Sequence, residues 1–112
     1  MAYTILFYTT ERGDSPVKEF IGGLDSVTRA KFISYIELLI EQGPNLKRPY
    51  ADTVGGKIRE LRPRQARVLY FFAFRDNIVL VHGFLKKRRE IEPAEFAIAQ
   101  VRMANWIKRK NE

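Results

Sequence analysis

Two apolar runs, ARVLYFFAF (66–74) and NIVLVHGFL (77–85), stand back to back with only Arg75 and Asp76 between them. Each is dense in β-branched and aromatic residues, with none of the polar alternation of a half-solvated strand, so each predicts a strand covered on both faces. The short polar break predicts a tight antiparallel hairpin, because Asp and Asn tolerate the positive φ such a turn needs. Pairing counted about Asp76-Asn77 sets Arg67 opposite about residue 86 and His82 opposite about residue 71. On that count the guanidinium of Arg67 emerges at the rim of an apolar strand, beside the cluster Lys86, Lys87, Arg88 and Arg89. His82 stays well inside.

The flanking sequence supplies the remaining elements. KIREL (57–61), continued by Arg62, predicts a strand whose apolar residues Ile58 and Leu61 are three apart, a break in alternation that a bulge would explain. Residues 63–65 turn the chain, and residues 45–56, punctuated by Pro49 and Gly55-Gly56, read as a loop. At the start, YTILFY (3–8) predicts a further strand paired inside the same sheet, since both its faces are apolar.

Ser15-Pro16 opens a short helix, with Ser as the expected cap and Pro at N1, and Gly22-Gly23 stops it. Asp25 caps a longer helix to about Gln42, whose stripe Ala30, Ile33, Ile36, Leu39 and Ile40 predicts the buried side and sends Arg29, Lys31, Glu37 and Glu41 to water; Gly43-Pro44 ends it. Pro93 opens the last helix, with Glu90, Glu92 and Glu95 at its positive end and Phe96, Ala99, Met103 and Ile107 lining one side. Lys108, Arg109 and Lys110 fall at its negative end, where they complement the dipole or contact RNA. The order β-α-α-β-β-β-α predicts one α+β domain over residues 1–112: a sheet of about four strands, a helical hairpin on one face, and a C-terminal helix.

Charge is uneven along this order. Residues 1–56 carry six Lys/Arg against seven Asp/Glu, and residues 57–112 carry 14 against six, so a net charge of +7 divides as −1 and +8. A positive field confined to the meander half points to a polyanionic partner, although a solvated basic face or an acidic protein partner would use the same charges. The absence of cysteine excludes disulfides and thiolate metal sites, and one histidine excludes a multi-histidine metal site. No stretch approaches the ~20 apolar residues of a membrane span and the first residues lack a basic leader, so a cytoplasmic protein without membrane or cofactor is expected.

No Cys nucleophile, HExxH or glycine-rich phosphate loop is present, and what remains is a set of strand-borne cations. Such a set suits phosphodiester chemistry. RNA carries its own nucleophile, the 2′-OH, so a protein needs to orient the backbone, offset charge on the phosphorane and assist two proton transfers. Arg67, Lys86 and Lys87 are the candidate catalytic residues; Lys57, Arg59, Arg62, Arg64, Arg88 and Arg89 are candidate RNA contacts. Glu60 is a candidate base or a salt-bridge partner of Arg59 and Arg62. His82 is a candidate acid or base, since histidine titrates near neutrality, or a hydrogen-bonded core residue.

The segments GKIRELRP, ARVLYFF and IVLVHGFLKK, followed by a Pro-led helix with Glu95, Ala99 and Arg102, resemble the phage-derived HigB-like toxins of the RelE superfamily. The likeness covers residues 57–102 and extends to the N-terminal elements in order only. It implies a type II toxin–antitoxin toxin, an mRNA interferase cleaving mRNA on the ribosome, with a helix-turn-helix antitoxin of the HigA type. On that resemblance Arg67 corresponds to the family's phosphate-binding arginine, Lys86 and Lys87 to basic residues after the last strand, and Lys57 and Arg59 to weaker matches on the first meander strand. Several members have a catalytic Tyr or His near the C-terminus, where this chain reads EIEPAEF. The alternative functions are a non-catalytic nucleic-acid or ribosome-binding module of phage origin on the same scaffold, and a protein binder using an exposed sheet edge.

Overall fold

The structure, a computed structural model, describes residues 2–111. Its elements are β1 (Thr4–Phe7), α1 (Pro16–Gly22), α2 (Ser26–Gln42), a 3-10 turn (Gly43–Asn45), β2 (Ala51–Gly55), β3 (Ile58–Leu61), β4 (Ala66–Ala73), β5 (Asn77–Leu85) and α3 (Pro93–Lys110). The α+β class and the element order are as expected, with a fifth strand added. β2 lies in the segment read as a loop: it pairs antiparallel with β3 through a two-residue turn, where Gly56 adopts φ 53°. An irregularity between Thr53 and Gly55 puts the extra residue in β2.

The sheet order is β1-β5-β4-β3-β2, so the two apolar runs occupy the middle. β1 joins parallel to β5 at the edge and not, as expected, inside the sheet. Its apolar faces are explained by cover on both sides. Ile5 and Phe7 join a core with Val17, Phe32, Leu39, Val68, Tyr70 and Leu80 beneath α1 and α2. Leu6 and Tyr8 join a second core with Leu69, Phe71, Val81, Ala99 and Trp106 beneath α3. Ile58 belongs to the α3 core and Leu61 to the α2 core, so their spacing of three reports a strand buried on both faces and needs no bulge in β3.

Four further expectations are corrected. The buried side of α2 runs through Thr28, Phe32 and Leu39, leaving Ala30 outward and Ile33 53% exposed. In α3, Trp106 takes the core place expected of Ile107, which is 40% exposed. Asp25 caps α2 by accepting from Thr28 N at 3.1 Å, whereas the Ser15 hydroxyl makes no cap bond to α1. Arg29, expected in water, donates instead to the carbonyls of Ile21, Gly22 and Leu24, satisfying the open end of α1. Phe20 of α1 packs over Gly83 of β5, where no Cβ intervenes.

The central hairpin departs from the counted register. Arg67 pairs with Phe84 and His82 with Leu69, because three residues, Phe74 to Asp76, lie between the paired Ala73 and Asn77, and β5 has an extra residue between Leu80 and His82. Arg75 and Asp76 both take φ 60°, the conformation the turn was expected to demand.

Candidate nucleic-acid interface

The register shift moves Arg67 two residues along β5 without separating it from Lys86. Lys86 follows β5 directly, its backbone N–H donating to the Gln65 carbonyl at 2.8 Å, which returns the chain over the start of β4. Arg67 and Lys86 therefore line one depression of about 540 Å³ together with Arg48, Arg62, Lys87 and Arg88. Gln65 and Arg89 complete its wall.

Arg67 is held from below. Its Nη1 donates to the carbonyls of Arg64 and Ala66, both at 2.8 Å, which fixes the guanidinium plane while leaving it 8% exposed. Glu60, on β3 and 5% exposed, lies beside it: Oε1 is 3.7 Å from Arg67 Nε, and Oε2 is 3.4 Å from Arg62 Nη1. Asp52 of β2 extends the row, accepting from Arg48 Nε at 2.8 Å with Arg62 Nη1 at 3.9 Å. The hydrogen bond from Arg48 holds the Asp52 carboxyl below the usual carboxylate range.

Burial holds the Arg67 guanidinium below the usual arginine value, with Glu60 opposing the shift. Burial, and then the neighbouring cation of Arg67, likewise hold the Lys86 ammonium below the usual lysine value. Glu60 Oε1, Arg62 Nη1 and Arg67 Nε are buried atoms without a hydrogen-bond partner. Three such atoms in one row are unusual, since buried polar groups nearly always find partners.

The other expected residues are dispersed. Lys87 and Arg89 are exposed on the rim, and Arg88 is exposed beside Glu92 at 3.4 Å. Arg64 contributes its carbonyl, at φ 57°. Arg59 points to the α2 face, donating to Tyr70 Oη, Thr53 Oγ1 and the Leu46 carbonyl, and so fastens β3 to the loop beneath α2. Lys57 sits at the opposite end of the sheet, near Phe74, Trp106 and Lys110. At the end of α3, Arg109 donates to the Thr9 carbonyl and Lys110 lies over the Trp106 ring, so these cations anchor the helix.

His82 lies outside the depression. Its Nε2 is 2.8 Å from Glu95 Oε1 on α3, its Nδ1 is 3.4 Å from Arg102 Nη1, and its ring stacks on Phe84 at 5.4 Å. Glu95 thus holds the Nε2 side of the ring and Arg102 faces its Nδ1 side. The group ties α3 to β5.

Arg48, Asp52 and Thr53 were missed because they fall in the segment read as a loop and in the half with net negative charge. The available signal was Asp52 four residues after Arg48. Among the described residues no group of three His, Asp or Glu is arranged to hold a metal ion, and no helix is long and apolar enough to cross a membrane.

A five-stranded mixed sheet between a helical hairpin and one long helix, with a cationic depression at one end of its central hairpin, defines a RelE-like α+β domain. A chain of the archaeal RelE–RelB complex from Pyrococcus horikoshii superposes with a TM-score of 0.58 at 18% identity, covering 79% of this chain and 99% of that one, a likeness of fold. The protein belongs to the Gp49-like family of phage-derived proteins, whose model matches residues 19–104. No curated protein matches it.

Proposed function

We propose that this protein is the toxin of a type II toxin–antitoxin pair of the HigB-like kind. In this reading it is a cytoplasmic endoribonuclease that cleaves mRNA on the ribosome and is neutralised by a helix-turn-helix antitoxin of the HigA type. Membership of a phage-derived family and the RelE-like fold support the reading. The observation that carries it is the convergence of Arg67 and Lys86 on one concave cationic surface.

The chemistry follows from that surface. The scissile phosphate sits against Arg67, Lys86 and Arg62, which orient it and offset the charge that grows on the phosphorane. The substrate's 2′-oxygen attacks phosphorus and loses its proton to water, and the bond to the 5′-oxygen breaks. A 2′,3′-cyclic phosphate and a 5′-hydroxyl result. Lys86, its ammonium made more acidic by burial and by Arg67, delivers the proton to the departing 5′-oxygen.

Induced expression in a bacterial host tests this. Growth arrest with mRNA cut within codons, lost in Arg67→Ala and in Lys86→Ala, is expected; normal growth with intact mRNA refutes it. A second reading, a non-catalytic nucleic-acid or ribosome-binding module, is favoured by one observation: among the described residues lining the depression there is no His or Tyr. That module would show graded losses from each Lys/Arg change and affinity falling steeply with salt, without cleavage.

A further inference from the structure

The cationic depression adjoins a second chamber of about 440 Å³, the two sharing Arg48, Lys86 and no other lining residue. This neighbour has a different chemistry. Val54 of β2 and Ile91, Pro93 and Phe96 at the entry to α3 supply its apolar lining, and Asp52, Thr53, Glu60 and Glu90 its remaining polar lining. Phosphates need none of that apolar lining. A flat apolar surface beside a row of cations is what a nucleobase needs when its phosphate is held next door, because bases of unpaired RNA are gripped by their faces and read at their edges. The volume falls within the range of small-molecule pockets.

Glu60 supplies an independent indication. It is 5% exposed, and its Oε1 has no hydrogen-bond partner, with the nearest cation, Arg67 Nε, at 3.7 Å. A carboxylate flanked by two guanidinium groups accepts hydrogen bonds and cannot donate them. An unpaired buried acceptor is costly unless something supplies a donor.

We propose that this second chamber is a nucleobase subsite in which Glu60 accepts from an exocyclic amine, so that the cleft favours an amine-bearing base over uracil next to the bound phosphate. Carboxylate-to-cytosine N4 pairing is the established form of this contact in nucleic-acid recognition. Uracil, with carbonyl oxygen at the same ring position, turns an acceptor toward Glu60 and is rejected. The subsite deepens the RNA reading given above and rests on it for the identity of the ligand, but it concerns binding and requires no cleavage.

Titration of the intact protein with 3′-CMP, 3′-UMP and inorganic phosphate, followed by NMR chemical shifts, tests it. The two nucleotides differ only on the Watson–Crick edge of the base, with an N4 amine and an N3 acceptor in cytosine against O4 and N3–H in uracil, and one charge-assisted hydrogen bond is worth roughly tenfold in affinity. We expect 3′-CMP to bind about that much more tightly than 3′-UMP, shifting amide signals of Val54 and Phe96. Glu60→Gln should erase the preference while phosphate binding persists, and Phe96→Ala should weaken both nucleotides and spare phosphate. Equal affinity of wild-type protein for 3′-CMP and 3′-UMP overturns the subsite even if Glu60→Gln fails to fold. A cytosine preference in a protein that leaves mRNA intact would sustain the subsite and sink the nuclease; mRNA cleavage with equal nucleotide affinities would do the reverse.

Discussion

Two polar clusters sit on the α3 face of the central hairpin, and they differ in how their hydrogen bonds close. In the His82 cluster the donors and acceptors meet: His82 bridges Glu95 and Arg102, and Arg102 also donates to the Val81 carbonyl at 2.8 Å. In the Arg67 cluster, Glu60, Arg62 and Arg67 each leave an atom buried and unpaired, and Lys86 adds a further cation at the rim. The first is a closed fastening between strand and helix. The second is held open, with excess positive charge facing a cavity, and on the proposed reading this difference marks the first as structural and the second as ligand-binding.

The comparison can be broken in several places. The largest expected effect is catalytic: Lys86→Ala should lower RNA cleavage by roughly 10²-fold, the usual loss when one preorganised charge-stabilising group is removed. Because Lys86 is only half-buried, its thermal midpoint should move little. A comparable fall in stability would instead make Lys86 a structural residue. His82→Ala should show the opposite profile. Removing the ring strands Glu95 and costs about 1–3 kcal/mol in denaturant unfolding, with affinity for phosphate in the cleft unchanged.

A smaller effect concerns protonation. The Lys86 ammonium should titrate below the ordinary lysine value of 10.5 when followed by NMR at Nζ. Arg67→Ala should raise that midpoint, since it removes a neighbouring cation, and Glu60→Gln should lower it further, since it removes the opposing anion. Activity that depends on the ammonium is then lost as pH rises through the lowered midpoint. The smallest effect belongs to Asp52. Its folded-state pKa lies below the ordinary 3.8, so its stabilising contribution is present above the unfolded value and disappears as pH falls through the folded one. Asp52→Asn should therefore be less stable than wild type above about pH 4, by at most about 1 kcal/mol for so exposed an ion pair, and the difference should vanish in stronger acid.

Much of this arrangement was legible in the residues, unevenly. The apolar runs that became β4 and β5 were visible because burial on both faces leaves no polar alternation to confuse. The proximity of Arg67 and Lys86 survived a wrong register, since the return of the chain at Gln65 and Lys86 brings both to the same end of the hairpin whichever residue is paired. The register itself was not legible. A three-residue turn at Phe74–Asp76 and an extra residue in β5 are choices of tertiary packing. β2 was hidden because ADTVG has little strand propensity and forms by pairing with β3, and with it went Arg48 and Asp52. The helix stripes were misphased where Thr28 and Trp106, less apolar by type than Ile33 and Ile107, took the core positions.

The most direct test sets the two clusters side by side in one host. Lys86→Ala and His82→Gln are each induced at matched protein levels, and mRNA ends are mapped alongside growth. The account predicts that Lys86→Ala permits growth and leaves mRNA intact while His82→Gln still arrests growth and cuts mRNA. Arrest and cleavage retained by Lys86→Ala but lost in a folded His82→Gln would contradict it, and would move the chemistry to the α3 seam.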